Sequence, residues 1–164
     1  MANYCFNSVF FLGDEQRVAQ VKALFAEIEK KQQQSNRWHL PSFVEGDRGH
    51  MLDIVFDNRA VHYETRWVPN LELLAQVAEK YQVGFINKFQ EMANGIYGES
   101  VYHEGKLTTV TLDLEDLTGH QYDKSMNGYR LGDEVYEYQG DLLDALLELK
   151  KSQVSVSNDF TRGV

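Results

Sequence analysis

The apolar residues of this chain switch between a period of two and a period near 3.6, and the order of the switches restricts the fold. Between Tyr4 and Leu12, the residues Tyr4, Phe6, Ser8 and Phe10 would share one face of a strand, and Cys5, Asn7, Val9 and Phe11 the other. Both faces are rich in apolar groups, which predicts a central strand. Gly13 ends it and Asp14 is a candidate helix N-cap. Val18, Val21, Leu24, Phe25 and Ile28 then recur at helical spacing, in a helix expected to fray between Lys30 and Gln34. Two strands follow. Leu52, Ile54 and Phe56 alternate with Asp53 and Asp57. After a turn at Asp57-Asn58-Arg59, Val61, Tyr63, Thr65 and Trp67 alternate with His62, Glu64 and Arg66. Pro69 stops the pairing, Asn70 is a candidate cap, and Leu71, Leu74, Val77, Ala78 and Tyr81 form a second apolar stripe. A meander is predicted next, with strands over Phe85 to Met92, Tyr97 to His103 and Leu107 to Leu114. Its turns fall at Asn94-Gly95 and Glu104-Gly105.

Strand, helix, strand, strand, helix, strand is the split βαβ order. The expected class is therefore α+β, a ferredoxin-like sandwich of an antiparallel sheet and two main helices, without an iron–sulfur cluster. Extra C-terminal strands and a short C-terminal helix would complete it. Gly119, Gly128 and Gly132 break up 115–138, and that stretch takes no clear element. The short helix is predicted over Leu142 to Lys151, with Asp141 near its start and Lys150-Lys151 near its end complementing its dipole. The chain reads as one domain, with a core over 1–114, an extension over 115–152 packing on it, and a tail over 153–164. The loop from Ser35 to Gly49 carries Trp38, Pro41 and Phe43, so part of it should pack.

The net charge of −9, from 25 acidic and 16 basic residues in 164, opposes diffuse binding to phosphate backbones. It suits solubility, or an acidic face that meets a basic partner. Cys5 is the single cysteine, so neither an intramolecular disulfide nor a four-cysteine cluster can form, which favours a reducing compartment. Met1-Ala2-Asn3-Tyr4 does not open a cleavable signal, and no apolar run approaches a membrane span. The expectation is a cytoplasmic protein without a membrane partner.

Several short motifs resemble one family. Asn3-Tyr4-Cys5-Phe6-Asn7, followed by Val9 and Gly13, resembles an Asn-Trp-Cys-x-Asn opening. Tyr63-Glu64-Thr65-Arg66-Trp67-Val68-Pro69 resembles an aromatic-x-Thr-x-Trp-x-Pro signature ahead of a Leu-rich helix. Glu91, Gly98, Tyr102 and Gly105 sit where that family has a Glu, a Gly and a Tyr-x-x-Gly ending. In order and spacing the set resembles the YubB-type proteins of bacterial plasmids, genomic islands and phages. The likeness covers about residues 3–13 and 61–106 and departs at Tyr4, where the family has Trp, and at Asn70, where it has a second proline. It implies a ferredoxin-like fold and a mobile-element origin. It brings no established activity and no catalytic residues.

Candidate chemistry is sparse. Tyr4, Phe6 and Phe10 could form a base-stacking platform like that of RNA-recognition modules, which share the split βαβ plan. The basic strand motif of those modules is missing, however, and the expectation is that the Trp38–Phe43 loop or the C-terminal helix covers the face. The histidines His39, His50, His62, His103 and His120 lack the i, i+4 spacing of a helical zinc site, and neither a metal nor a cofactor is called for. Glu64, Glu91 and Glu99 read as solvated strand charges rather than an acid/base pair. Cys5 reads as a small buried apolar group. Trp67, Pro69 and Gly98 read as structural. If the Trp67 ring plugs the strand-to-helix corner, Trp67→Ala would cost about 3–5 kcal/mol.

The pattern points away from an enzyme. It points to a mobile-element accessory protein that binds another protein, most concretely an acidic inhibitor of a host defence complex. Asp53, Asp57, Glu64, Glu134 and Glu137 are the candidate contact charges. The alternatives are a nucleic-acid-binding module using Tyr4, Phe6 and Phe10, or an enzyme with a site assembled from scattered groups. Oligomeric state is not legible from the sequence.

Overall fold

The computed structural model describes residues 3–35, 37–45, 49–57 and 60–160, with 155–160 described by their backbone. Along the chain run β1 (Tyr4–Leu12), α1 (Glu15–Ser35), β2 (Leu52–Phe56), β3 (Val61–Arg66), α2 (Leu71–Tyr81), β4 (Gly84–Glu91), a 3-10 turn (Met92–Asn94), β5 (Ile96–His103), β6 (Lys106–Thr111), α3 (Leu114–Thr118), β7 (Tyr122–Asp123), β8 (Gly128–Leu131), β9 (Glu134–Tyr136) and α4 (Gln139–Phe160). Six strands form one antiparallel sheet ordered β2-β3-β1-β4-β5-β6. Its first four strands have the ferredoxin-like order, and the β5–β6 hairpin widens it. The fold is α+β, as the element order predicts. A second, three-stranded sheet is ordered β7-β8-β9.

Period-two alternation in β1 sends Cys5, Asn7, Val9 and Phe11 to one face, where they are buried. α1 and α2 cover that face. Val21, Phe25 and Ile28 of α1 and Leu73, Leu74, Val77 and Ala78 of α2 close the main core against Val9, Val61, Tyr63 and Phe85. The Phe11 ring packs 5.7 Å from Phe25 and 6.5 Å from Phe85. Gly98 of β5 has no room for a side chain, since a Cβ there would lie 2.6 Å from the Val110 carbonyl oxygen and 2.9 Å from the Phe89 ring.

Asp14 caps α1 as expected, accepting from the Arg17 N–H at 3.0 Å. The expected fraying of α1 does not occur. The helix runs to Ser35, and Gln32 donates to the Met51 carbonyl at 2.9 Å, which ties its last turns to the chain entering β2. The predicted cap at Asn70 is not made by its side chain. That side chain is buried, where its Oδ1 accepts from the Tyr63 hydroxyl at 2.7 Å and its Nδ2 donates to the Gly49 carbonyl at 2.8 Å.

Trp67 is a further correction. β3 ends at Arg66, and the Val68 N–H bonds back to the Arg66 carbonyl at 2.8 Å across Trp67, whose φ is +70°. This is a γ-turn with positive φ, a strained conformation for a residue with a side chain. It turns the indole out of the corner and leaves it 47% exposed.

Leu114 begins α3 instead of ending a strand, because Asp113 and Asp116 form a reciprocal capping box. The glycine-broken stretch after α3 becomes the small sheet. The C-terminal helix spans Gln139–Phe160, well beyond Lys151, so most of the expected tail is helical. Lys150 and Lys151 are therefore mid-helix, and they engage carboxylates rather than a helix end. The opening Met1-Ala2, the Asn58-Arg59 part of the predicted turn, residues 36 and 46–48 of the loop, and 161–164 lie outside the described residues.

Candidate functional site

The second face of the six-stranded sheet is only half covered. Its even-numbered β1 residues, Tyr4, Phe6, Ser8 and Phe10, point away from α1 and α2. α3 and α4 close over β5 and β6, through a separate apolar cluster of Leu112, Leu117, Leu143 and Leu147 with Tyr97 and Val110 at its margin. Glu99 of β5, on this face, meets Lys151 of α4 at 2.6 Å.

The cover stops at β4. There a cleft of about 180 Å³ lies between sheet and helix, bounded by Phe6, Ser8, Lys88, Gln90, Tyr97 and Asp144. Asp144 of α4 accepts from the Tyr97 hydroxyl at 3.0 Å and pairs with the Lys88 ammonium at 3.4 Å. Burial, with Asp144 adding to it, holds the Tyr97 hydroxyl well above the ordinary tyrosine range.

Beyond the cleft the face is bare. Tyr4 is 47% and Phe6 41% exposed, and Phe10 is half-buried beside them on the central strand. The Phe6 ring stacks on the His62 imidazole of β3, with centroids 5.9 Å apart and planes 17° from parallel. Asp57 holds His62 Nε2 at 2.9 Å, while buried His62 Nδ1 is without a hydrogen-bond partner. Arg66, opposite Tyr4 in register, places its guanidinium 5.8 Å over the half-exposed Trp38 ring. Val55 of β2, opposite His62, extends the apolar surface toward the sheet edge.

The expected cover of this face is thus only partial, with Trp38 of the loop meeting Arg66 at its margin and α4 stopping at the cleft. Phe43 packs edge-on against Tyr81 of α2, in the helical layer, and α4 sits over β5 and β6. Tyr4, Phe6 and Phe10 do share one face. The candidate acidic residues fall into two sets. Asp57 and Glu64 lie beside His62 and Phe6, and Asp53 lies on edge strand β2. Glu134 lies in β9 of the small sheet, bonded to the Tyr136 hydroxyl, and Glu137 follows it.

The candidate catalytic carboxylates do not face a common cleft. Glu91 is buried rather than solvated, and caps the 3-10 turn through the Ala93 and Asn94 N–H groups at 3.2 and 2.7 Å. Glu99 is likewise buried. Burial pushes the Cys5 thiol up to about 11, the opposite of what a nucleophile needs. Among the described residues, no group of three or more His, Cys, Asp and Glu is placed to hold a metal.

The stretches that carry the family likeness meet in one buried network. Asn7 Nδ2 donates to the Cys5 carbonyl and to Thr65 Oγ1, both at 3.0 Å. The Thr65 hydroxyl donates to the Val68 carbonyl at 2.8 Å. Asn87 Nδ2 donates to Asn7 Oδ1 at 3.1 Å. The network joins β1 to β3 and its exit turn, which is a structural role that was not foreseen. His62, Lys88 and Asp144 were also missed as parts of the site. The even parity of His62 and Lys88 was readable, but the docking position of α4 was not.

A family described as ferredoxin-like domain in Api92-like protein matches residues 46–125, from the approach to β2 through β7. No curated protein and no solved structure matches the chain. Among the described residues, no helix is long and apolar enough to cross a membrane.

Proposed function

Taking its ferredoxin-like domain as the premise, we propose that this chain is a non-enzymatic binding protein that docks a partner protein on the bare β1–β3 half of its sheet. The observation that carries the reading is the pair of half-exposed rings, Tyr4 and Phe6, on the central strand of a face that α4 leaves open. Aromatic anchors of this kind supply much of the energy of protein interfaces. The rim is acidic through Asp53, Asp57 and Glu64, which suits a partner with an apolar centre and a basic surround. Glu134 and Glu137, in and after the other sheet, are left out of this contact.

Charge separates this reading from nucleic-acid binding. Among the described residues, the Arg66 guanidinium of this face lies over the Trp38 ring and the Lys88 ammonium pairs with Asp144, so both are engaged already. A chain of net charge −9 with such a face has little to offer a phosphate backbone. The most concrete form of the proposal follows from the family likeness. The chain is a YubB-type accessory protein of a mobile element, works in the cytoplasm, and blocks a host defence complex. The second reading, stacking of single-stranded bases, is favoured by Tyr4 and Phe6 lying on the central strand of a ferredoxin-like sheet.

One experiment separates the two. Tagged wild type and a Tyr4→Ser/Phe6→Ser variant, matched in melting temperature, are drawn through host lysate, and both are titrated with single-stranded RNA and DNA over a salt series. The proposal expects a protein retained by wild type and lost by the variant, with no salt-dependent nucleic-acid binding. Recovery of nucleic acid alone, by a face the variant disables, would establish the second reading instead.

A further inference from the structure

The two edges of the large sheet are built differently. β2, at one edge, is short, carries a register shift between Leu52 and Val55, and has Asp53 at a φ of +48°. A bulge of this kind guards an edge against pairing. β6, at the other edge, pairs with β5 in unbroken register from Lys106 to Thr111. Its sequence Lys-Leu-Thr-Thr-Val-Thr is rich in β-branched residues and lacks proline and acidic side chains. All but Val110 are exposed, Leu107 among them at 37%.

Hairpin geometry says which backbone groups of β6 are free. Glu104 and Gly105, with φ of +49° and +78°, form a two-residue turn of the primed type, which makes His103 and Lys106 a hydrogen-bonded closing pair. Hydrogen-bonded and non-bonded pairs then alternate. The Leu112 N–H bond to the Tyr97 carbonyl at 2.9 Å falls where this phase requires. Leu107, Thr109 and Thr111 therefore turn their N–H and C=O groups outward, away from β5. In an antiparallel sheet their side chains also share one face, the face of α1 and α2.

We infer that β6 is a self-pairing edge, and that a second copy of this chain binds it antiparallel about a two-fold axis through Thr109. In that register Thr109 faces Thr109 of the copy and Leu107 faces Thr111. All outward backbone groups of the three residues are then satisfied by reciprocal bonds. The even register keeps both α1–α2 layers on the same side of one continuous sheet, so the exposed Leu107 is covered by a threonine methyl. Such an interface is isologous and closes on itself. Charge favours this edge for self-association. Two copies of net charge −9 repel, and β6 brings no acidic side chain to the junction.

The test is the oligomeric state, measured by sedimentation equilibrium from micromolar to millimolar protein, with amide exchange read at β6. Wild type is expected to dimerise, with exchange at Leu107, Thr109 and Thr111 slowing as the dimer forms. Thr109→Lys sets two like charges opposite each other and should raise the dimer dissociation constant about tenfold or more. Because Thr109 also shares a hydroxyl bond with Ser100 at 2.8 Å, Ser100→Ala is the control. It loses the same bond and should still dimerise. A monomer at every concentration would overturn the inference, as would a dimer indifferent to Thr109→Lys. So would β6 amides slowed by an added extended peptide while the chain itself stays monomeric.

Discussion

The Glu99 carboxylate, 5% exposed on β5, lies 2.6 Å from the Lys151 ammonium, a helix and a small sheet later in the chain. This pair holds α4 over β5 and β6 and so sets where the cover of the second sheet face ends. Glu148 takes the other side of Lys151 at 2.8 Å.

Removing one partner of that pair should cost more than removing both. Lys151→Met would leave a buried carboxylate unpaired. Because the Lys151 side chain keeps 29% exposure, the cost is about 1–3 kcal/mol, below that of a fully buried pair. Adding Glu99→Gln should recover part of it. Urea unfolding of the two single variants and the double checks the coupling, and additive losses would show that the pair does not act as a unit.

At Trp67 the structure reverses the expectation of a costly truncation. With the ring half exposed, Trp67→Ala should change stability by no more than about 1 kcal/mol. Trp67→Gly relieves a positive φ that strains any side chain by about 1–3 kcal/mol, against a smaller gain in unfolded-state entropy. Its melting temperature should equal or exceed that of Trp67→Ala. A large loss in the glycine variant would mean that the indole packs.

Cys5 should be inert in the folded protein. Burial is the main reason its thiol is raised to about 11, so little thiolate exists at pH 8. Iodoacetamide should label it only in denaturant, as mass spectrometry would report. Rapid labelling of the native protein would contradict its placement in the Asn7–Thr65 network.

The α3–α4 junction should weaken in acid. Lys150 donates to Asp113 at 2.8 Å, and this bond, with backbone N–H donors at the helix start, lowers the Asp113 carboxyl from 3.8 to about 2. A carboxyl depressed in the folded state stabilises it above the unfolded value and loses that contribution as pH falls through the folded one. Asp113→Asn should therefore melt below wild type at pH 7. The gap should narrow between pH 4 and 2 and close below that.

Much of the fold was legible because it is written in period. The bounds of β1 and α2, the two helices and the strand order follow from residues such as Val9 and Phe11, or Leu74 and Val77, that bury one face only. What was not legible came from contacts between distant segments. Asn70 reads as a cap in sequence, but Tyr63 takes its side chain. Glu91 and Glu99 read as solvated, but a local turn and α4 bury them. The parity of Tyr4, Phe6 and Phe10 was plain. Whether anything covered them depended on α4, whose position is set by Glu99, Asp113 and a cluster of leucines from separate elements.

Site-specific photo-crosslinking tests the bare face most directly. Phe6 is replaced by a photoreactive phenylalanine analogue in cells of the host, with Val135 of β9, exposed on the other sheet, as the control position. A discrete protein adduct at Phe6, absent at Val135, is the predicted result. Adducts to nucleic acid at Phe6, or identical adducts at both positions, would contradict the account.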